Sequence, residues 1–115
     1  MEGKYISLIT YKKNGDPIAT QVWFVEEDEK LYFVTLQGRY KFKRMKNNPN
    51  VQIAPASMRG KPKGDYFDGI ARVLSDDESQ PLIASFKKKY RMFKMMFKED
   101  REGEKKSFFF EITLK

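Results

Sequence analysis

The chain has 115 residues, a length that predicts a single domain over residues 1–115 and leaves nothing for a second core. It contains no Cys and no His, which excludes disulfides, a thiolate nucleophile, a Ser–His catalytic pair and the usual protein ligands of zinc. With 23 basic and 16 acidic residues the net charge is +7, so an anionic ligand or partner is expected.

Three strands are predicted in the first third of the chain. Residues 5–11 and 18–26 are rich in β-branched and aromatic side chains. Asn14-Gly15 between them indicates a hairpin, because both residues tolerate positive φ. A charged turn then leads to a third strand over residues 31–35, so the chain is expected to begin as a meander.

The middle of the chain changes its periodicity. Residues 39–48 hold good helix formers and end at Asn48-Pro49, which predicts a short helix with a proline stop. A strand over 51–56, a loop over 57–65 and a strand over 66–74 follow. Gly69 inside the last of these strands indicates a bulge or a close approach of another chain segment.

An amphipathic helix and a last strand complete the predicted order. Acidic residues 76–78 suit a helix start, and apolar residues then recur at helical spacing. The members of this stripe are Leu82, Phe86, Tyr90, Phe93 and Phe97. A charged connection over 100–106 leads to an alternating strand at the end of the chain.

The resulting order is β-β-β-α-β-β-α-β, typical of a mainly β (α+β) protein with an antiparallel barrel or a strongly curved sheet. The chain has neither a Gly-x-Gly-x-x-Gly motif nor a P-loop, which argues against the nucleotide sites built on those motifs.

The positive charge is concentrated in the middle of the chain. Residues 30–64 contain nine basic side chains and no acidic one. Within this stretch a strand ends at Thr35, Gly38 allows a sharp turn, and Arg39 and Lys41 stand where the helix begins. Helix starts attract anions, and Arg44 lies one turn beyond Lys41, so the segment is predicted to bind a phosphate group. The alternative is a solvated basic helix face.

Several of these segments, taken in order, resemble the pyridoxamine-phosphate-oxidase-like proteins, the FMN-binding split β-barrel superfamily. The likeness is greatest to the branch described as F420-dependent oxidoreductases. The segments that carry it are Leu8-Ile9-Thr10, residues 14–24, residues 31–35, residues 41–51, Ala54-Pro55-Ala56, Gly60 and Gly64.

The resemblance implies an antiparallel split β-barrel that forms a homodimer with cofactor sites at the subunit interface. It places the cofactor phosphate on the basic turn and helix, the ring beside the second and fourth strands, and the cofactor tail near the loop around Gly60. The implied cofactor-binding residues are Gln21, Val22, Trp23, Thr35, Arg39, Lys41, Lys43, Arg44, Ala54, Pro55, Ala56, Arg59, Gly60 and Lys61. Trp23 also suits packing in a core or dimer interface, which is the commoner role.

The predicted activity is that of an oxidoreductase transferring a hydride from F420 or FMN to a small organic acceptor, with F420 favoured by the resemblance. Neither a catalytic side chain nor a metal site is predicted. One alternative is a module binding single-stranded nucleic acid through basic residues interleaved with Tyr40, Phe42 and Tyr66. The other is a cofactor-binding protein without turnover.

A cytoplasmic location is expected. The N-terminus MEGKYISLIT lacks the apolar segment of a signal peptide, and no apolar run approaches the roughly 18 residues of a membrane span.

Overall fold

The computed structural model describes residues 3–93 and 106–115. Its elements follow the predicted order and confirm the mainly β class with two helices. They are β1 (Tyr5–Tyr11), β2 (Pro17–Glu27), β3 (Lys30–Leu36), α1 (Tyr40–Asn47), β4 (Asn50–Ala56), β5 (Phe67–Val73), α2 (Asp76–Lys89) and β6 (Ser107–Leu114).

The six strands close into a barrel in the order β1-β2-β3-β6-β5-β4. All six neighbouring pairs are antiparallel. Of the two predicted architectures, the barrel is therefore the correct one. Closure gives every strand two neighbours, so no strand is left at a sheet edge along its whole length.

The barrel interior is filled by alternate strand residues and by one side of α1. Phe24, Phe33 and Ile112 are fully buried there, and the Phe33 and Phe110 rings stack with their centroids 5.3 Å apart. Because α1 contributes Phe42 and Met45 to the same cluster, this helix is fixed against the barrel by its apolar side. This packing fixes the backbone positions of the basic residues that α1 contributes to the predicted site.

A second apolar cluster lies between α2 and the outer face of the barrel. Phe86 is its fully buried centre and stacks on Tyr90 and Phe93 with centroid distances of 5.8 and 5.2 Å. Phe109 of β6 packs against the same ring. The alternation of β6 therefore serves both clusters, with Phe110 facing inward and Phe109 outward.

The predicted helix stripe is interrupted at Tyr90. Helix α2 ends at Lys89, and Tyr90 has the extended backbone of a C-cap. Its hydroxyl lies within hydrogen-bond distance of the Phe24 carbonyl and accepts a bond from the Phe24 amide. These buried contacts outweigh the local helical periodicity, so the prediction of one helix through this stripe was wrong at Tyr90. Phe97 and residues 100–105 of the charged connection lie outside the described residues.

Gly69 of β5 confirms the predicted close approach. A Cβ atom at this position would lie 2.8 Å from Ile112 Cγ2 and 3.2 Å from the Thr113 carbonyl oxygen. Glycine therefore lets β5 and β6 pack at this point.

Helix α2 begins with a complete capping box. Ser75 Oγ accepts a bond from the Glu78 amide, and the Glu78 carboxylate accepts one from the Ser75 amide. No helix within residues 3–93 and 106–115 is long and apolar enough to cross a lipid bilayer.

Glu78 is expected to make stability depend on pH. Hydrogen bonds from Arg72, and then from the Ser75 amide, lower the pKa of this carboxyl from its ordinary 4.5 to about 2. A lowered pKa in the folded state contributes stability above pH 4.5, and that contribution is lost as the pH falls toward 2. We expect E78Q to remove this part of the pH dependence of the urea unfolding midpoint.

The matched control is D77N, which removes a charge from the same helix turn. Asp77 belongs to none of the ion pairs found among the described residues. If the difference between wild type and E78Q does not shrink as the pH falls, the role assigned to Glu78 is wrong.

Candidate functional site

The barrel wall is incomplete between β2 and β3. Their ladder joins only residues 24–27 of β2 to residues 30–33 of β3. The preceding part of β2 pairs with β1, and the following part of β3 pairs with β6. Among the described residues, no ladder joins positions 21–23 to positions 34–36, so the two strands separate there.

A cavity of about 360 Å³ lies at this separation. Its volume is within the roughly 300–1,000 Å³ typical of small-molecule sites. Its lining comes from both strands, the start of α1, the segment that follows α2 and the start of β6. The lining residues are Gln21, Val22, Trp23, Val34, Thr35, Leu36, Arg39, Lys41, Phe93 and Ser107.

One part of the lining is aromatic and aliphatic. The Trp23 ring stacks on Tyr90 with a centroid distance of 4.6 Å and an interplanar angle of 9°. Trp23 is only half buried and also lines the cavity, beside Phe93 and Val34. Trp23 therefore packs on Tyr90 and also lines the cavity, and its contact with a cofactor stays a prediction.

The other part of the lining is basic. Burial lowers the pKa of the Lys41 ammonium group, and the guanidinium groups of Arg39 and Arg44 lower it further. None of the ion pairs among residues 3–93 and 106–115 involves Lys41 or Arg39. A partly desolvated cation among other cations is stabilised when an anion binds beside it.

Two polar features among the lining residues are incompletely satisfied by the described part of the protein. Thr35 is 94% buried, yet its Oγ1 has no hydrogen-bond partner among the described residues. Helix α1 begins after Arg39 without a side-chain cap and without an acidic residue in its first turn. Amide groups at such a helix start, together with a free hydroxyl, are suitable donors to a phosphate group.

The two other predicted site residues of the helix, Lys43 and Arg44, lie outside the cavity lining. The Arg44 side chain is directed to β1, where its Nε donates to Thr10 Oγ1 over 2.6 Å. Burial lowers the pKa of its guanidinium group. Lys43 is exposed, with its Nζ 5.7 Å from the centroid of the Tyr40 ring. Neither side chain lines the cavity, although the charge of Arg44 acts on Lys41.

The predicted residues of the fourth strand also lie outside the cavity lining. Ala54 and Ala56 are buried in β4, which pairs with β1 rather than with β2 or β3. The Pro55 carbonyl accepts a bond from the Lys63 amide. In the strand order, β1 and β2 therefore lie between these three positions and the cavity.

The lining residue Gln21 connects the loop after β4 to β2. Gln21 Nε2 donates to the carbonyl oxygens of Ser57 and Met58, each over 2.8 Å. Gly60 has a φ of 84°, and a Cβ there would lie 3.8 Å from Gln21 Cβ. Arg59 and Lys61 flank this glycine and are exposed. The loop thus lies beside the cavity without lining it.

Four lining residues, Val34, Leu36, Phe93 and Ser107, were not among the predicted cofactor-binding residues. Val34 and Leu36 flank the predicted Thr35, so their position beside a strand end was an available signal. Nothing in the local sequence indicates that Phe93 or Ser107 reaches the same space, because both arrive through tertiary packing.

Solved structures of similar fold cover nearly the whole chain. The haem storage protein HutZ from Vibrio cholerae matches with a TM-score of 0.78 at 17% identity, covering 99% of this chain and 83% of its own. An F420 reductase matches with a TM-score of 0.63 at 21% identity, covering 97% and 86%. An FMN-binding, pyridoxamine 5'-phosphate oxidase-related protein from Nostoc punctiforme matches with a TM-score of 0.64 at 17% identity, covering 96% and 70%.

At these identities the likenesses show the fold alone: the chain shares the barrel fold of those structures. The family model for pyridoxamine 5'-phosphate oxidase matches residues 2–115. The chain therefore belongs to the pyridoxamine 5'-phosphate oxidase family, and the resemblance drawn from the sequence is confirmed. A sequence search of curated proteins gave no significant match.

Proposed function

We propose that the protein binds F420 or FMN between β2 and β3 as a homodimer and acts as an oxidoreductase on a small organic acceptor. One observation carries the proposal: one cavity with an aromatic wall is lined by Lys41, a partly buried cation outside the described ion pairs, and by Thr35, whose buried hydroxyl has no partner among the described residues. A phosphorylated ring compound matches this division into a basic and an apolar part. The F420 reductase and FMN-binding neighbours support the same cofactor class.

In the proposed complex, Lys41, Arg39, the Thr35 hydroxyl and the first amides of α1 hold the phosphate. Trp23, Val34 and Phe93 contact the ring and exclude water from it. The reduced cofactor, when bound, supplies the hydride that the acceptor receives. The chain orients the two reactants, which suits a sequence without His or Cys.

A second copy of the chain is proposed to cover the cavity mouth. Tyr40 and Met58 are 76% and 75% exposed, the largest values among the exposed large hydrophobic side chains described. Tyr40 lies between the lining residues Arg39 and Lys41, and the Met58 carbonyl is bound by Gln21. Exposed apolar side chains beside a basic cavity are suited to burial in a dimer interface.

The nucleic-acid alternative loses support from the aromatic side chains. Phe42 is buried in the barrel core. The Tyr66 hydroxyl is hydrogen-bonded to Ser7 Oγ over 2.8 Å. Only Tyr40 of the proposed stacking residues is freely exposed, whereas a single-strand site needs several rings for successive bases.

Titration of the purified chain with F420 and with FMN tests the proposal. Trp23 is the only tryptophan and lines the cavity, so its fluorescence is expected to fall as either ring binds. Sedimentation of the complex tests the dimer, and oxidation of the reduced cofactor by added acceptors separates an enzyme from a binding protein. Absence of saturable binding of both cofactors would contradict the proposal, and binding that falls steeply with salt for single-stranded DNA instead would favour the alternative.

Thr35→Val provides a sharper test of the phosphate position. The change keeps the side-chain shape but removes a buried hydroxyl without a partner, so the free energy of unfolding of the ligand-free chain is expected to stay the same or rise. Cofactor affinity should fall by about fivefold to tenfold, equivalent to one lost hydrogen bond. Urea unfolding and the fluorescence titration measure the two effects.

Thr20→Val is the matched control. Thr20 Oγ1 is the other buried side-chain oxygen without a partner in the described part of the chain, but Thr20 does not line the cavity. We expect a similar effect on unfolding and unchanged cofactor affinity. Equal losses of affinity in the two variants would show that Thr35 does not contact the ligand.

A further inference from the structure

We propose that Gln21 is a positioning residue that anchors the loop of residues 57–61, so that Arg59 and Lys61 stand at the cavity mouth and favour a ligand with an extended anionic tail. This inference rests on the proposed function. It assigns to Gln21 a role that acts through the loop and not through direct contact with the reacting atoms.

The loop is internally closed, and one side chain attaches it to β2. The Gly60 amide donates to the Ser57 carbonyl, and the Ser57 amide donates to the Lys61 carbonyl, each over 2.9 Å. Among the side-chain hydrogen bonds described, only those of Gln21 join this loop to another element. Backbone contacts also tie the ends of the loop to β4, through the Lys63 amide on the Pro55 carbonyl and the Ala56–Pro62 bridge. Gln21 therefore supplies the side-chain attachment of the loop to β2.

Gln21 is well suited to this task. Both of its bonds go to backbone carbonyls and are 2.8 Å long, so one amide group holds two consecutive peptide units. Its Cβ lies in ordinary contact range of the Cβ position of Gly60, and Gly60 has a positive φ that side-chain-bearing residues rarely adopt. The loop thus follows the side of β2 that borders the cavity.

The charge placed there is separate from the phosphate position. Arg59 and Lys61 are exposed, belong to the acid-free stretch of the chain, and form none of the ion pairs found in the described residues. Lys41 and Arg39 lie at the start of α1, which follows β3 on the other side of the separation. A compact monophosphate needs only Lys41 and Arg39. A ligand with further negative charges along a tail also interacts with Arg59 and Lys61.

Preorganisation explains why the anchor matters. Two long cationic side chains on an unanchored loop lose more conformational entropy on binding than the same side chains on a fixed loop. We therefore expect Gln21→Leu to weaken F420 binding by about tenfold and FMN binding by less than about threefold, because FMN lacks the extended anionic tail.

A double-mutant cycle isolates the indirect action. In an Arg59→Ala, Lys61→Ala background, Gln21→Leu should cause no further loss of F420 affinity, since the side chains it positions are absent. Gln52→Leu is the control, because Gln52 also donates a 2.8 Å side-chain bond, to Asp68, away from this loop. Additive losses for F420, or equal losses for F420 and FMN, would overturn the proposed selectivity.

Limited trypsin digestion reports on the anchor without any cofactor. Cleavage between Arg59 and Gly60, measured by mass spectrometry against cleavage in the exposed Lys12–Lys13 turn, should be at least about fivefold faster in Gln21→Leu than in wild type or Gln52→Leu. Unchanged cleavage contradicts the anchor itself. Failure of the wild-type chain to bind either cofactor contradicts the proposed function and the selectivity together, and leaves the digestion result to decide the anchor.

Discussion

Replacing Arg39 and Lys41 together by alanine is expected to weaken F420 or FMN binding by about 2–4 kcal/mol, the loss anticipated for two charge-assisted hydrogen bonds to phosphate. Both side chains line the cavity, and burial together with the neighbouring guanidinium groups lowers the pKa of Lys41. In the ligand-free chain this arrangement is unfavourable, so the double variant should unfold at the same or a higher urea concentration. Affinity and stability are thus expected to change in different directions.

The control for this prediction is Lys43→Ala. Lys43 belongs to the same helix and carries the same charge, but it is exposed and outside the cavity lining. If the loss of affinity came only from the change in net charge, Lys43→Ala would weaken binding as well. That loss would become smaller in both variants as the salt concentration rises. Retained binding in the double variant would remove Arg39 and Lys41 from the cofactor site.

Phe86→Ala is expected to lower the free energy of unfolding by about 3–5 kcal/mol, the range for removing a large aromatic side chain from a packed core. Phe86 is fully buried and contacts Tyr90, Phe93 and Phe109. The cavity wall depends on the same cluster, because Phe93 lines the cavity and Tyr90 supports the Trp23 ring. Urea unfolding followed by circular dichroism measures the loss of stability.

Phe67→Ala is the matched control for the aromatic core. Phe67 is 51% exposed on β5, so its removal leaves no buried void and should cost less than about 1 kcal/mol. Trp23 fluorescence adds a second readout, since loosening of the Tyr90 contact should change the emission of Phe86→Ala before global unfolding. A loss of stability in Phe86→Ala no larger than that in Phe67→Ala would contradict the role assigned to this cluster.

Much of the fold was predictable because its signals are local. Alternating apolar residues in β2 and β3, the Asn14-Gly15 turn and the acidic start of α2 are each contained in a few consecutive residues. Strand pairing also follows the chain order over β1, β2 and β3. Such signals act through φ preferences, capping and side-chain alternation, which need no distant partner.

The helix stripe and the basic segment show where local signals fail. Tyr90 has helical spacing to Phe86, yet its hydroxyl is bound to the backbone at Phe24 and the helix ends before it. Arg44 lies one turn from Lys41, yet its guanidinium group bonds to Thr10 on β1. In both cases a buried polar contact with a distant strand decided the position of the side chain.

By itself, the sequence determined the barrel-forming order of strands and helices, the family, and the concentration of positive charge between residues 30 and 64. The tertiary structure decided which members of that charged stretch meet the aromatic wall. It separated β2 from β3 beyond Phe24 and Phe33, and it brought Phe93 and Ser107 to the opening. The physical reason is that local patterns set which segments form strands, whereas the point at which two neighbouring strands part depends on packing across the whole barrel.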